Sequence, residues 1–192
     1  YRTFQNLACD KLHVKVSQLS SVHFSPPCTT YSTAHHGKNH HRGKHMRPKT
    51  KLARDHDRLN ESVLEVLKQV SHQSFRTVIS VENPLSNWRH MPFVRRLLGS
   101  PGWFERTADH CMSRREGEEM FPRKRSTWLL FNVSTNVGIR KCDGTCGCVL
   151  DGTMFHKLLV CNRTDKMPGQ TVIRTAEEQG RIPYGTWDIL HE

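Results

Sequence analysis

No run of apolar residues in this sequence approaches the roughly 20 that a membrane-spanning helix needs. Only 35% of its 192 residues are hydrophobic, so much of the chain must lie at the surface or in loops. The first ten residues, Tyr1 to Asp10, lack the basic-then-apolar order of a secretory signal. Acids are scarce: 18 Asp and Glu face 29 Lys and Arg, for a net charge of +11. Such a surplus disfavours a basic partner and favours an anionic one. The seven cysteines are too few and too uneven for a disulfide framework, which prefers an even count in a small secreted chain. They read as intracellular thiols. The length suits one domain with a continuous core, expected as a monomer.

The positive charge is concentrated. Residues 35–54 hold Lys38, Arg42, Lys44, Arg47, Lys49, Lys51 and Arg54 and no acid. No amphipathic basic helix accompanies them, so nucleic acid is the expected partner rather than a membrane surface. Residues 33–54 are rich in Gly, His and Lys/Arg with almost no apolar anchor, which predicts a mobile loop. Its histidines (His35, His36, His40, His41 and His45) read as part of a phosphate-facing surface rather than as metal ligands.

The apolar stretch ending Ser21-Val22-His23-Phe24 runs into Ser25-Pro26-Pro27-Cys28. Two prolines stop a strand, which places Cys28 in a rigid loop at the strand's carboxyl end. From His56 to Val70, Leu59, Val63, Val66, Leu67 and Val70 share one helical face. Thr77–Val81 is a β-branched run that predicts a buried strand, ended by Glu82-Asn83-Pro84. A helix is expected over Met91–Leu98, with Pro92 in its first turn and Gly99 stopping it. Further strands are expected at Thr107–Cys111 and Thr127–Val133, and a terminal helix over Tyr184–Leu190. Strand, helix and strand at this spacing make a βαβ unit, hence a parallel sheet. The expected architecture is an α/β three-layer sandwich. Ligands bind such sheets beyond the carboxyl ends of the strands, so Cys28 and Glu82 should meet on one edge.

Four segments in register resemble the cytosine-5 DNA methyltransferases, their phage and algal branch in particular. His23 to Ser32, with Ser25-Pro26-Pro27-Cys28-Thr29-Thr30-Tyr31-Ser32 at its heart, is similar to the Pro-Cys nucleophile loop. Glu82-Asn83-Pro84 followed by Met91-Pro92-Phe93 resembles that branch's Glu-Asn-Pro and Met-Pro pair. Phe121-Pro122-Arg123-Lys124-Arg125-Ser126-Thr127, then Asn132, is similar to its Tyr-Pro-x-x-Lys-Pro-Thr segment, and Arg181-Ile182-Pro183 to its Ile-Pro ending. The resemblance implies a Rossmann-like S-adenosylmethionine-dependent methyltransferase fold, DNA as partner, and base flipping. It implies Cys28 as nucleophile at cytosine carbon 6 and Glu82 as its acid partner, with Pro26, Pro27, Asn83 and Pro84 shaping the two loops. It ties Asp10 to the methyl donor, and Arg123 or Arg125 to the base or a nearby phosphate. The chain departs from the family where Thr29 replaces the usual Gln and Ser126 replaces Pro. The Gly-rich donor loop is not found upstream of Asp10, so the fold is expected to be incomplete at its N-terminus. The rival readings are a catalytically inactive DNA-binding relative and an amino-methyltransferase, the latter disfavoured by Cys28 where an aromatic would stand.

Residues 1–135 are expected to hold the partial catalytic domain, with the basic loop 35–54 following its nucleophile. Residues 136–192 are expected to be irregular, a target-recognition or cysteine-rich part of the same domain. Cys142, Cys146, Cys148, His156 and Cys161 are donors that suit zinc. Their spacing fits no standard knuckle and buried free thiols are common, so no metal is expected, with this cluster the place where zinc would sit.

Overall fold

The computed structural model describes residues 15–32, 41–113, 125–133, 139–151, 153, 156–159, 168 and 170–172. Four strands form its main sheet: β1 (Ser21–Phe24), β2 (Val78–Pro84), β3 (Trp103–Asp109) and β4 (Arg125–Phe131). Two helices accompany them, α1 (Lys51–Gln73) and α2 (Pro92–Leu98). A separate parallel pair joins β5 (Leu158–Leu159) to β6 (Thr171–Val172). The chain divides into two compact units: Tyr1–Glu105 with Thr127–Val133, and Arg106–Ser126 with Ser134–Glu192.

β1 and β2 run parallel, with Ser21 opposite Val78 and Phe24 opposite Val81. Parallel neighbours need a long crossover, and α1 supplies it, so the expected βαβ unit is present. The sheet is mixed and its order is β1-β2-β4-β3. A consecutive doubly wound order would set β3 beside β2; here β4 lies between them. Five successive residues of β2, Ile79 to Asn83, are buried, as in a strand covered on both faces.

α1 begins five residues earlier than the sequence suggests. Thr50 caps it, its hydroxyl accepting from the Ala53 N–H at 3.2 Å, so Lys51 and Arg54 are helical rather than in a loop. The buried face also differs from the expected one. Leu64, Leu67 and Val70 face the core, Val63 and Val66 are half-buried, and Leu59 is 46% exposed. The shift arises because Asn60 is wholly buried, where it donates to the Tyr31 hydroxyl and accepts from Trp88 Nε1 at 2.7 Å. Satisfied polar groups thus hold the amino-terminal half of the helix, and apolar packing holds the rest.

α2 follows expectation, with Pro92 at its start and Gly99 at its end. Its Phe93, Val94 and Leu97 join Leu64, Leu67 and Val70 of α1, Ile79 and Val81 of β2, and Leu129 and Phe131 of β4 in one core. β3 and β4 each start and stop earlier than expected. A single turn of 3-10 helix at His110–Ser113 replaces the end of the one. Asn132, at a left-handed φ of 56°, ends the other. The helix expected over Tyr184–Leu190 lies outside the described residues.

Candidate active site

β1 and β2 point the same way, so their carboxyl ends share an edge of the sheet. β1 stops at Phe24 because Pro26 and Pro27 follow; β2 runs on through Glu82 and Asn83 to Pro84. Glu82 therefore lies within the last stretch of its strand rather than after it. It is 4% exposed and Asn83 is fully buried. The Asn83 side-chain amide donates to the Pro26 carbonyl at 3.0 Å, and its own oxygen accepts from the Ser86 hydroxyl at 3.3 Å. One buried hydrogen bond thus joins the Pro-Pro-Cys loop to the Glu-Asn-Pro strand, from residues 57 apart in sequence.

Cys28 is half-buried and opens a 3-10 turn over Thr29–Tyr31, its carbonyl accepting from the Tyr31 N–H at 2.9 Å. The turn is held from behind. Thr30 and Tyr31 are wholly buried, and Arg42 packs its guanidinium 4.1 Å from the centre of the Tyr31 ring. Arg42 also donates to the Thr30 carbonyl at 2.8 Å and to both carboxylate oxygens of Asp57, at 2.6 and 3.1 Å. The Tyr31 hydroxyl donates to the same Asp57 at 2.7 Å. Burial first, and the Asp57 carboxylate second, hold the Tyr31 phenol well above its ordinary pKa.

Beside Glu82 stands a residue that sequence reasoning passed over as a potential participant. His23 faces Ser80 in the β1–β2 register, with Nδ1 2.9 Å from Ser80 Oγ and Nε2 2.8 Å from Ser25 Oγ. Loss of solvation lowers its pKa, and the negative charge of Glu82 opposes that shift. The period-2 rule was the signal that could have found it, since Ser80 and Glu82 share one face of β2.

The basic segment divides into two classes of cation. Arg42, expected to meet DNA, is instead buried in the cluster behind Cys28, because a bidentate acid and a carbonyl satisfy its fork there. Lys44, Arg47, Lys49 and Lys51 are exposed. Residues 41–50 close into a turn through an Arg42–Pro48 bridge and an N–H donated by Gly43 to the Arg47 carbonyl at 2.8 Å. Arg125 is 45% exposed, with Nε 3.3 Å from Asp109 Oδ1. Asp10, Lys38, Arg123 and Cys161 lie outside the described residues.

In the second unit, Cys142, Cys146 and His156 come together as the zinc-suited donors would, but the fourth member differs. Cys111 joins them, with one donor atom from each residue within 4.8 Å of every other. Cys148 is buried nearby and outside this group of four.

No protein-family model, curated protein or solved structure matches the chain.

Proposed function

We propose that the chain carries the base-activating half of a DNA cytosine-5 methyltransferase, with Cys28 as nucleophile and Glu82 as acid partner. The observation that supports this reading most is the buried Asn83–Pro26 hydrogen bond. It fixes a thiol loop and a buried carboxyl strand to one another at the carboxyl ends of a parallel strand pair, the place where α/β sheets bind ligands.

In this reading the Cys28 thiolate adds to carbon 6 of an extruded cytosine, and the electron pair of the 5,6 double bond moves into the ring toward nitrogen 3. Glu82 holds the proton that nitrogen 3 takes up, and carbon 5 becomes nucleophilic. The exposed cations Lys44, Arg47, Lys49 and Lys51 hold backbone phosphates. S-adenosylmethionine would supply the methyl group to carbon 5. The described residues offer no set that fits it: Asp10 lies outside them. Gly144 belongs to a cysteine turn, its N–H directed at Cys142 Sγ, rather than to a loop after a strand.

The half-reaction is testable without a donor. Reversible addition at carbon 6 lets carbon 5 take a solvent proton, and elimination then releases the original hydrogen. Single-stranded DNA bearing tritium at cytosine carbon 5 should therefore lose label to water. Cys28→Ser should abolish release, and Glu82→Gln should slow it on the order of 10²–10⁴-fold, as for loss of a positioned acid. Release that survives Cys28→Ser, or no release from the wild-type chain, would reject the assignment.

A further inference from the structure

We propose that Cys111, Cys142, Cys146 and His156 hold a structural zinc ion. The ligands come from three separate pieces of the second unit: the 3-10 turn at His110–Ser113, the Cys142–Cys148 turn, and the segment at His156. Four-coordinate zinc, with Zn–S near 2.3 Å and Zn–N near 2.0 Å, sets a sulfur-to-nitrogen edge of about 3.5 Å. Cys142 Sγ and Cys146 Sγ lie 3.4 and 3.3 Å from the same His156 Nε2.

Hydrogen bonding alone accounts poorly for that arrangement. An imidazole nitrogen has either one N–H or one lone pair, which the two sulfurs would have to share. A cation in the centre of the four donors satisfies all of them.

Backbone amides are directed at two of the sulfurs. The Gly144 N–H donates to Cys142 Sγ at 3.4 Å and the Cys148 N–H to Cys146 Sγ at 3.4 Å, each from two residues onward. Such amide donors neutralise part of the sulfur's charge and orient it, as outer-shell partners of a metal do. Gly144 and Gly147 make these turns at φ of 95° and 70°, where a side chain would be strained.

The supporting contacts also join the ligand-bearing pieces. The Cys142 N–H donates to Asp109 Oδ2 at 2.8 Å, and Asp109 lies two residues before Cys111. His156 is fixed by its bridge to Val149 and by Gln170 Nε2 donating to its carbonyl at 2.7 Å. Three sulfurs and a nitrogen select zinc over the hard cations, and a full set of four protein ligands marks a structural rather than a catalytic site. Cys111, Cys142 and Cys148 themselves make up a buried cluster of this unit, so the ion would do the work of an apolar core.

The full chain, purified from zinc-supplemented medium, should contain one zinc per chain by mass spectrometry. Replacement by cobalt should give the intense visible bands of a tetrahedral thiolate site. Cys111→Ser should lose the metal and Cys148→Ser should keep it, since the Cys148 sulfur lies outside the group of four donors. His156→Cys should keep the metal with a shifted cobalt spectrum, which decides the matter if Cys111→Ser does not fold. Metal no higher than in a protein-free control with no cobalt–thiolate band would overturn the proposal. Equal metal loss from Cys148→Ser and Cys111→Ser in folded proteins would do so as well.

Discussion

Replacing Arg42 by alanine should damage the fold rather than the charge of the surface. Its side chain is 1% exposed and makes a two-pronged ion pair with Asp57, whose own side chain keeps 22% exposure. Removing one partner of a buried pair costs about 3–5 kcal/mol, and the water still reaching Asp57 argues for the lower end. The Thr30 carbonyl would lose its donor, and Tyr31 would lose a cation stacked at 4.1 Å. These losses are not additive, and we expect about 3–4 kcal/mol in all. Urea unfolding followed by tryptophan fluorescence should show it as a midpoint lowered by at least about 1 M, given typical slopes. Arg42→Lys keeps the charge but not the planar fork, and should lose most of the same stability. Lys44→Ala, an exposed change in the same segment, should stay within about 0.5 kcal/mol of wild type. An Arg42→Ala protein as stable as Lys44→Ala would refute the inward role.

Two further outcomes are expected. Replacing Lys44, Arg47, Lys49 and Lys51 together by alanine should flatten the salt dependence of DNA binding by about 0.9 in slope for each phosphate no longer neutralised, and an unchanged slope would place the DNA face elsewhere. Tyr31 keeps its proton in the folded state to higher pH than in the unfolded chain, so its contribution is full below the ordinary phenol pKa of about 10 and is lost as pH rises beyond it. Over about pH 9 to 11 the wild type should therefore lose stability faster than Tyr31→Phe; parallel curves from stopped-flow unfolding would show that the phenol does not titrate this way.

The elements legible in the sequence were those written in short-range pattern. β1 is cut by Pro26 and Pro27, α2 is bounded by Pro92 and Gly99, and the β-branched run of β2 is unmistakable. That the Pro26-Pro27 loop and the end of β2 meet followed from the parallel βαβ unit. What escaped depended on contacts between distant residues. Nothing local distinguishes Arg42 from Lys44, yet one meets Asp57 and the other water. Leu59 belongs to a regular apolar stripe, but the burial of Asn60 turns that position outward. Cys111 stands 31 residues before Cys142, outside any spacing rule, and only the fold brings it to His156. The place of β4 between β2 and β3 likewise depends on strand pairing that no periodicity encodes.

The anchor of the Cys28 turn lies near the start of a 23-residue helix, and helix ends fray. Asp57 sits in the second turn of α1, and the Thr50 cap holds the first. Each transient opening of that end would release Arg42 and loosen its hold on Thr30 and Tyr31. The thiol loop thus inherits the breathing of a distant helix terminus, on the timescale of local unfolding rather than of side-chain motion. Amide hydrogen exchange should report the same opening free energy for Ala53 N–H and Tyr31 N–H, although the two belong to different elements.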